Sequence, residues 1–128
     1  MLIQSNNAKL KISFIQDFTY LEERSTLMII YNESSSKFIN HVLEQRIESV
    51  LLEKVQEKMN HSVSPSEIRS WTNSLPQMAK ILRDADLKEG THVLLEYKLP
   101  STEKRIDFLI TGEDKTGRQN AVIVELKQ

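Results

Sequence analysis

The chain has 128 residues, 39% of them hydrophobic and 27% charged, which is the length and make-up of one soluble globular domain with a single core. Seventeen basic against eighteen acidic residues leave a net charge of −1, so no global field marks the chain for nucleic acid or membrane, and any such contact has to be local. Cysteine is absent, which excludes disulfides and thiolate metal sites, and no apolar run or leader of the kind that crosses a membrane is present, so a cytoplasmic protein is expected.

Residues 1–27 read as an N-terminal extension with possible strands. Leu10 to Phe14 alternate through Leu10, Ile12 and Phe14 as a short strand, and Thr26 to Tyr31 form a continuous apolar run that reads as a second. Serines 34 to 36 can cap a helix that runs to about Met59, with Phe38, Ile39, Val42, Leu43, Ile47, Val50, Leu51 and Val55 as its apolar stripe. Ser64-Pro65-Ser66-Glu67 is a capping box with proline at the first helical position, predicting a second helix to Trp71. Ser74 can start a third, carried by Met78, Ile81 and Leu82 toward the loop at Gly90.

From Thr91 the apolar period changes to two. Strands are predicted near 92–98, 104–111 and 120–127, joined by Pro100–Glu103 and by Asp114–Gly117, which makes a three-stranded antiparallel meander. The fold class is therefore α+β, helices followed by a meander, with residues 28–128 as one module.

Alternation puts Arg105, Asp107 and Leu109 on one face of the middle strand, and Ala121, Ile123, Glu125 and Lys127 on one face of the last. Lys115-Thr116-Gly117 fits a three-residue hairpin loop with glycine in the left-handed position, which sets Asp114 opposite Arg118. Counting back from that turn, Asp107 falls opposite Glu125, with β-carbons on the order of 5 Å apart, and Lys127 lies two residues further on the same face. Two opposed carboxylates destabilise a sheet unless a cation lies between them, and hard oxygen donors suit Mg2+ or Mn2+. Glu96, in the first strand of the meander with His92, Leu94 and Lys98, can join the same cluster. Such a cation can position and acidify a water, and a neighbouring lysine can assist that water or a phosphoryl oxygen, which is the chemistry of phosphodiester hydrolysis.

An acid on one strand and Glu-x-Lys on the next, after a leading helix, resembles the PD-(D/E)XK nuclease superfamily. Asp107 matches the first acid and Glu125, Leu126 and Lys127 the Glu-x-Lys; the resemblance implies that Asp107 and Glu125 hold the metal together with the Leu126 backbone carbonyl, and that Lys127 serves the water or the phosphate. Met28–Tyr31, Phe38-Ile39, Ser66–Leu75, Glu96-Tyr97, Arg105–Phe108 and Val124–Gln128 look like the nuclease-like N-terminal module of bacterial helicase-like P-loop ATPases. It implies DNA as substrate, a C-terminal ATPase domain or partner chain, and supporting positions at Glu96, at Gln128 and at Glu44 or Glu48 of the leading helix. Lys104, Arg105 and Arg118 are the bases expected to contact nucleic acid. The phosphate-cradling Gly-x4-Gly-Lys-Ser/Thr is absent; the glycines are 90, 112 and 117. The superfamily continues past Glu-x-Lys with a helix and a strand, so the expectation is a partial restriction-endonuclease-like core lacking both, whose last strand is an open edge prone to pair with another chain or a second copy.

Blander readings stand beside these. Asp107 can pair with Arg105, Lys127 or Arg118 on a solvated sheet face, Glu44 and Glu48 can be solvated helix charges, and Trp71 suits a core position. The rival function is a non-catalytic interaction or assembly module. The three histidines show no zinc-site spacing.

Overall fold

The computed structural model describes residues 2–5, 8–16, 29–59, 62–85, 87–98 and 105–127; at 96–98, 105–107 and 125–127, and along most of the first two strands, it describes backbone pairing alone. In chain order the elements are β1 (Leu2–Ser5), β2 (Ala8–Ile15), β3 (Ile29–Ser34), α1 (Ser35–Leu43), α2 (Ile47–Met59), α3 (Pro65–Asp84), β4 (His92–Lys98), β5 (Arg105–Glu113) and β6 (Gln119–Lys127). The fold is α+β. The strands form one six-stranded sheet in the order β1-β2-β6-β5-β4-β3, and each neighbouring pair is antiparallel. Among the described residues no helix is long and apolar enough to cross a membrane.

The predicted meander is the centre of this sheet, extended on both sides by the N-terminal strands. β3 pairs with β4, with a register shift between Ile29 and Tyr31. β2 pairs with β6 from Lys9↔Lys127 to Ile15↔Ala121. The expectation that the last strand is an open edge is thereby overturned: β6 lies between β5 and β2, and the outer strands are β1 and β3. The alternation of Leu10, Ile12 and Phe14 identifies a strand, but a strand's partner is a long-range property that local alternation does not encode.

Ser34 caps α1 as its position predicts, its Oγ accepting from Lys37 N at 3.2 Å, and Ser64 caps α3 by accepting from Glu67 N at 3.3 Å. Two boundaries differ from expectation. The single helix to Met59 is instead α1 and α2, separated at Glu44–Arg46, where Gln45 takes φ 57°. Arg46 N donates to His41 O and Gln45 N to Val42 O, so α1 ends in a Schellman motif with glutamine where glycine is usual. The two helices expected on either side of Ser74 are one, α3, and Ser74 is buried inside it. Pro76 withdraws one backbone N–H from that helix, but on its exposed side, where the orphaned Thr72 carbonyl can meet water.

The three described helices pack on one face of the sheet. Phe38, Leu51, Val55, Trp71, Leu75 and Leu82 bury against Val93, Leu95, Phe108 and Val124, and the Phe38 and Phe108 rings meet edge to face at 5.2 Å. Trp71 is a core residue of this layer. The opposite face carries a second buried cluster of Leu94, Leu109 and Ala121, with Ile29 and Ile123 packed against it. That face carries the residues of functional interest.

Candidate functional site

The β5–β6 hairpin sets the register of the site. Asp114 N donates to Arg118 O at 2.9 Å and Gly117 N to Asp114 O at 3.1 Å, closing a loop of Lys115, Thr116 and Gly117. Gly117 holds φ +83°, which a side chain would strain. The Asp114 carboxylate binds the loop from inside: Oδ1 accepts from the Thr116 hydroxyl at 2.6 Å, Thr116 N at 2.8 Å and Arg118 N at 3.0 Å, and Oδ2 from Asn120 Nδ2 at 3.1 Å. The hydrogen bond from the Thr116 side chain, followed by that from Arg118 N, holds this carboxyl down at about 2.

From this turn the ladder runs without a slip to Asp107↔Glu125, the pairing read from the loop chemistry. The neighbouring ladders extend the row. Glu96 pairs with Asp107, and Glu125 with Lys11, so Lys11, Glu125, Asp107 and Glu96 occupy one register row across β2, β6, β5 and β4, with Ile29 of β3 beyond. Because faces alternate along a strand, the row belongs to the face of Leu94, Leu109 and Ile123, one row further along, and not to that of Phe108 and Val124 beneath the helices. Lys127 lies two residues beyond Glu125 and pairs with Lys9, while Leu126 between them pairs with Leu10.

Sequence reasoning missed Lys9 and Lys11. Both alternate with the apolar residues of β2, which is the pattern of a face-sharing set, but only the β2–β6 pairing brings them to the site.

Other predicted residues are placed elsewhere. Glu44 is exposed and ion-paired with Arg46 at 3.3 Å, and Glu48 accepts from the Thr72 hydroxyl at 3.1 Å, so both belong to the helical layer on the other face of the sheet. Arg118 is exposed at the hairpin turn, seven residues from Glu125 along β6, roughly 24 Å at strand rise. Lys104, Gln128 and the Pro100–Glu103 turn lie outside the described residues, as do the side chains of Glu96, Arg105, Asp107, Glu125, Leu126 and Lys127. Among the described residues no group of three His, Cys, Asp or Glu side chains is gathered as a metal would require.

No family model, curated protein or solved structure matches this chain. The remaining titratable pair is structural: Tyr31 Oη lies 2.8 Å from His41 Nδ1 within the helical core layer. Burial foremost, then Glu33, raises the phenol, and burial, then Arg46 and Lys37, lowers the imidazole, so both are neutral and the phenol can donate to Nδ1.

Proposed function

We propose that this chain carries a metal-dependent phosphodiester hydrolysis site of PD-(D/E)XK type. The observation that supports the reading is the row itself: three acidic residues, Glu96, Asp107 and Glu125, at successive register positions of three strands. Carboxylates so opposed destabilise the sheet, and one lysine, Lys11, at the end of the row leaves an excess of negative charge. Oxygen donors in that number fit a divalent cation such as Mg2+ or Mn2+. Bound there, the cation would acidify a water and neutralise charge on a phosphoryl group.

Asp107 and Glu125 hold the cation, with the Leu126 carbonyl as a further oxygen, and Glu96 supports them from β4. Lys127, one step along β6, orients the attacking water or stabilises a phosphoryl oxygen. DNA is the substrate by resemblance, and an ATPase domain or partner and a cytoplasmic setting belong to the same proposal. Glu44 and Glu48, in the helical layer, are left out of the reaction.

Isothermal titration with Mg2+ or Mn2+ tests the reading. Wild type is expected to bind and Glu125→Ala to lose the binding; equal titrations would overturn the proposal in favour of a non-catalytic interaction module. DNA cleavage that disappears in Lys127→Ala, with metal binding kept, would then assign the lysine.

A further inference from the structure

The carboxylate row has a basic counterpart. One step further along each strand, Lys9 pairs with Lys127 and Lys98 with Arg105. The described β5–β6 ladder reaches Asp107↔Glu125, two residues before Arg105 and Lys127 on their strands. Lys9↔Lys127 on β2 and β6 and Arg105↔Lys98 on β5 and β4 are thus two opposed basic pairs, each two residues along its strands from the carboxylate row and at positions of the same face. Two residues of strand rise separate each pair from the carboxylates by about 7 Å.

Like charges opposed in a ladder cost stability, and each of the two pairs carries that cost unless an anion lies along it. In a chain of net charge −1 this concentration is a local feature and not a reflection of overall basicity. A linear polyanion of repeating single charges matches cations paired at right angles to the strands. Arginine and lysine are the side chains that meet phosphate oxygens with a full positive charge.

We infer that the two basic pairs, Lys9–Lys127 and Arg105–Lys98, hold as a track the phosphate backbone of one nucleic-acid strand, which crosses the sheet there and is carried alongside the carboxylate row. The inference rests on the nuclease reading for the choice of nucleic acid over other polyanions. Binding along the track itself requires neither cleavage nor a metal.

The test is fluorescence anisotropy of a labelled oligo(dT) of about twelve nucleotides, titrated in EDTA over a range of salt, with wild type, Lys9→Gln/Lys98→Gln and Lys80→Gln/Arg83→Gln. Lys80 and Arg83 are exposed on α3, in the helical layer, and give the same change of charge away from the track. Each phosphate contact contributes about 0.7 to the slope of log K against log salt for a single strand, so the track variant is expected to lose about 1.4 from that slope and the α3 variant none. In nucleic-acid-free buffer the track variant should melt no lower than wild type, because it relieves repulsion. An unchanged slope, an equal loss in both variants, or no binding by wild type would overturn the inference. Failure of the nuclease reading is separate: it appears as no metal binding in the titration without DNA, whatever the oligonucleotide does in EDTA.

Discussion

Asp114 and Arg118 are joined twice, once by the Asp114 amide to the Arg118 carbonyl at 2.9 Å and once by the Arg118 amide to the Asp114 carboxylate at 3.0 Å. The second link is strongest while the carboxylate is ionised. Its pKa falls from 3.8 to about 2 on folding, so the stabilisation is present above the unfolded value and is lost as pH falls through the folded one. Thermal melts of Asp114→Asn should therefore show a shallower loss of stability than wild type between about pH 4 and pH 2. Equal slopes would mean that the turn does not depend on this charge. Because the turn sets the pairing, Asp114→Ala should also weaken metal binding at the distant Asp107↔Glu125 row, a loss measurable by the same titration.

The turn also marks how far local chemistry reaches. Asp114, Gly117, Ser34 and Ser64 act through neighbours a few residues away, and each was legible for that reason. The Asp107↔Glu125 pairing follows from one such turn by counting along a regular ladder. What was not legible depends on distant contacts or on residues acting against type: Gln45 ending a helix in a glycine conformation, Pro76 tolerated inside α3 because its side of the helix faces outward, and β2 pairing with β6 across almost the whole chain. The acidic row was legible across the hairpin, its Lys11 end was not.

Gln45 holds a left-handed backbone that costs a side-chain-bearing residue about 1–2 kcal/mol, offset in part by the greater chain entropy that glycine loses on folding. Gln45→Gly should stabilise the protein by about 0.5–1 kcal/mol in urea denaturation with an unchanged m-value. A destabilised variant would show that the Gln45 side chain contributes more than its backbone strain costs.

Tyr31→Phe leaves the buried His41 Nδ1 without the phenol and should cost about 1–3 kcal/mol. The imidazole pKa is lowered in the folded state, so neutral His41 contributes stability that is full above its ordinary value of 6.5 and is lost as pH falls through the folded value. An NMR titration of the wild type should place His41 below 6.5. A midpoint at or above that value would contradict the buried neutral pair.

The carboxylate row predicts opposite responses with and without a cation. In EDTA, Glu125→Gln should raise the melting temperature by removing one of the opposed charges, and Lys11→Met should lower it by removing the countercharge. With Mg2+ at about a hundred times its dissociation constant, wild type should gain about 2.7 kcal/mol and Glu125→Gln should not. Equal gains in the two proteins would place the cation elsewhere.

The pairing of β2 with β6 joins strands roughly 115 residues apart in sequence, so the sheet closes by a contact of high sequence separation. Closure of so long a loop comes late, after the hairpin of β5 and β6 has formed from its own turn. By that ordering, the acidic residues of β5 and β6 are expected to meet one another before Lys9 and Lys11 are in place beside them. The carboxylates of β5 and β6 are thus expected to align early, and the lysines of the N-terminal hairpin to join them when β2 docks on β6.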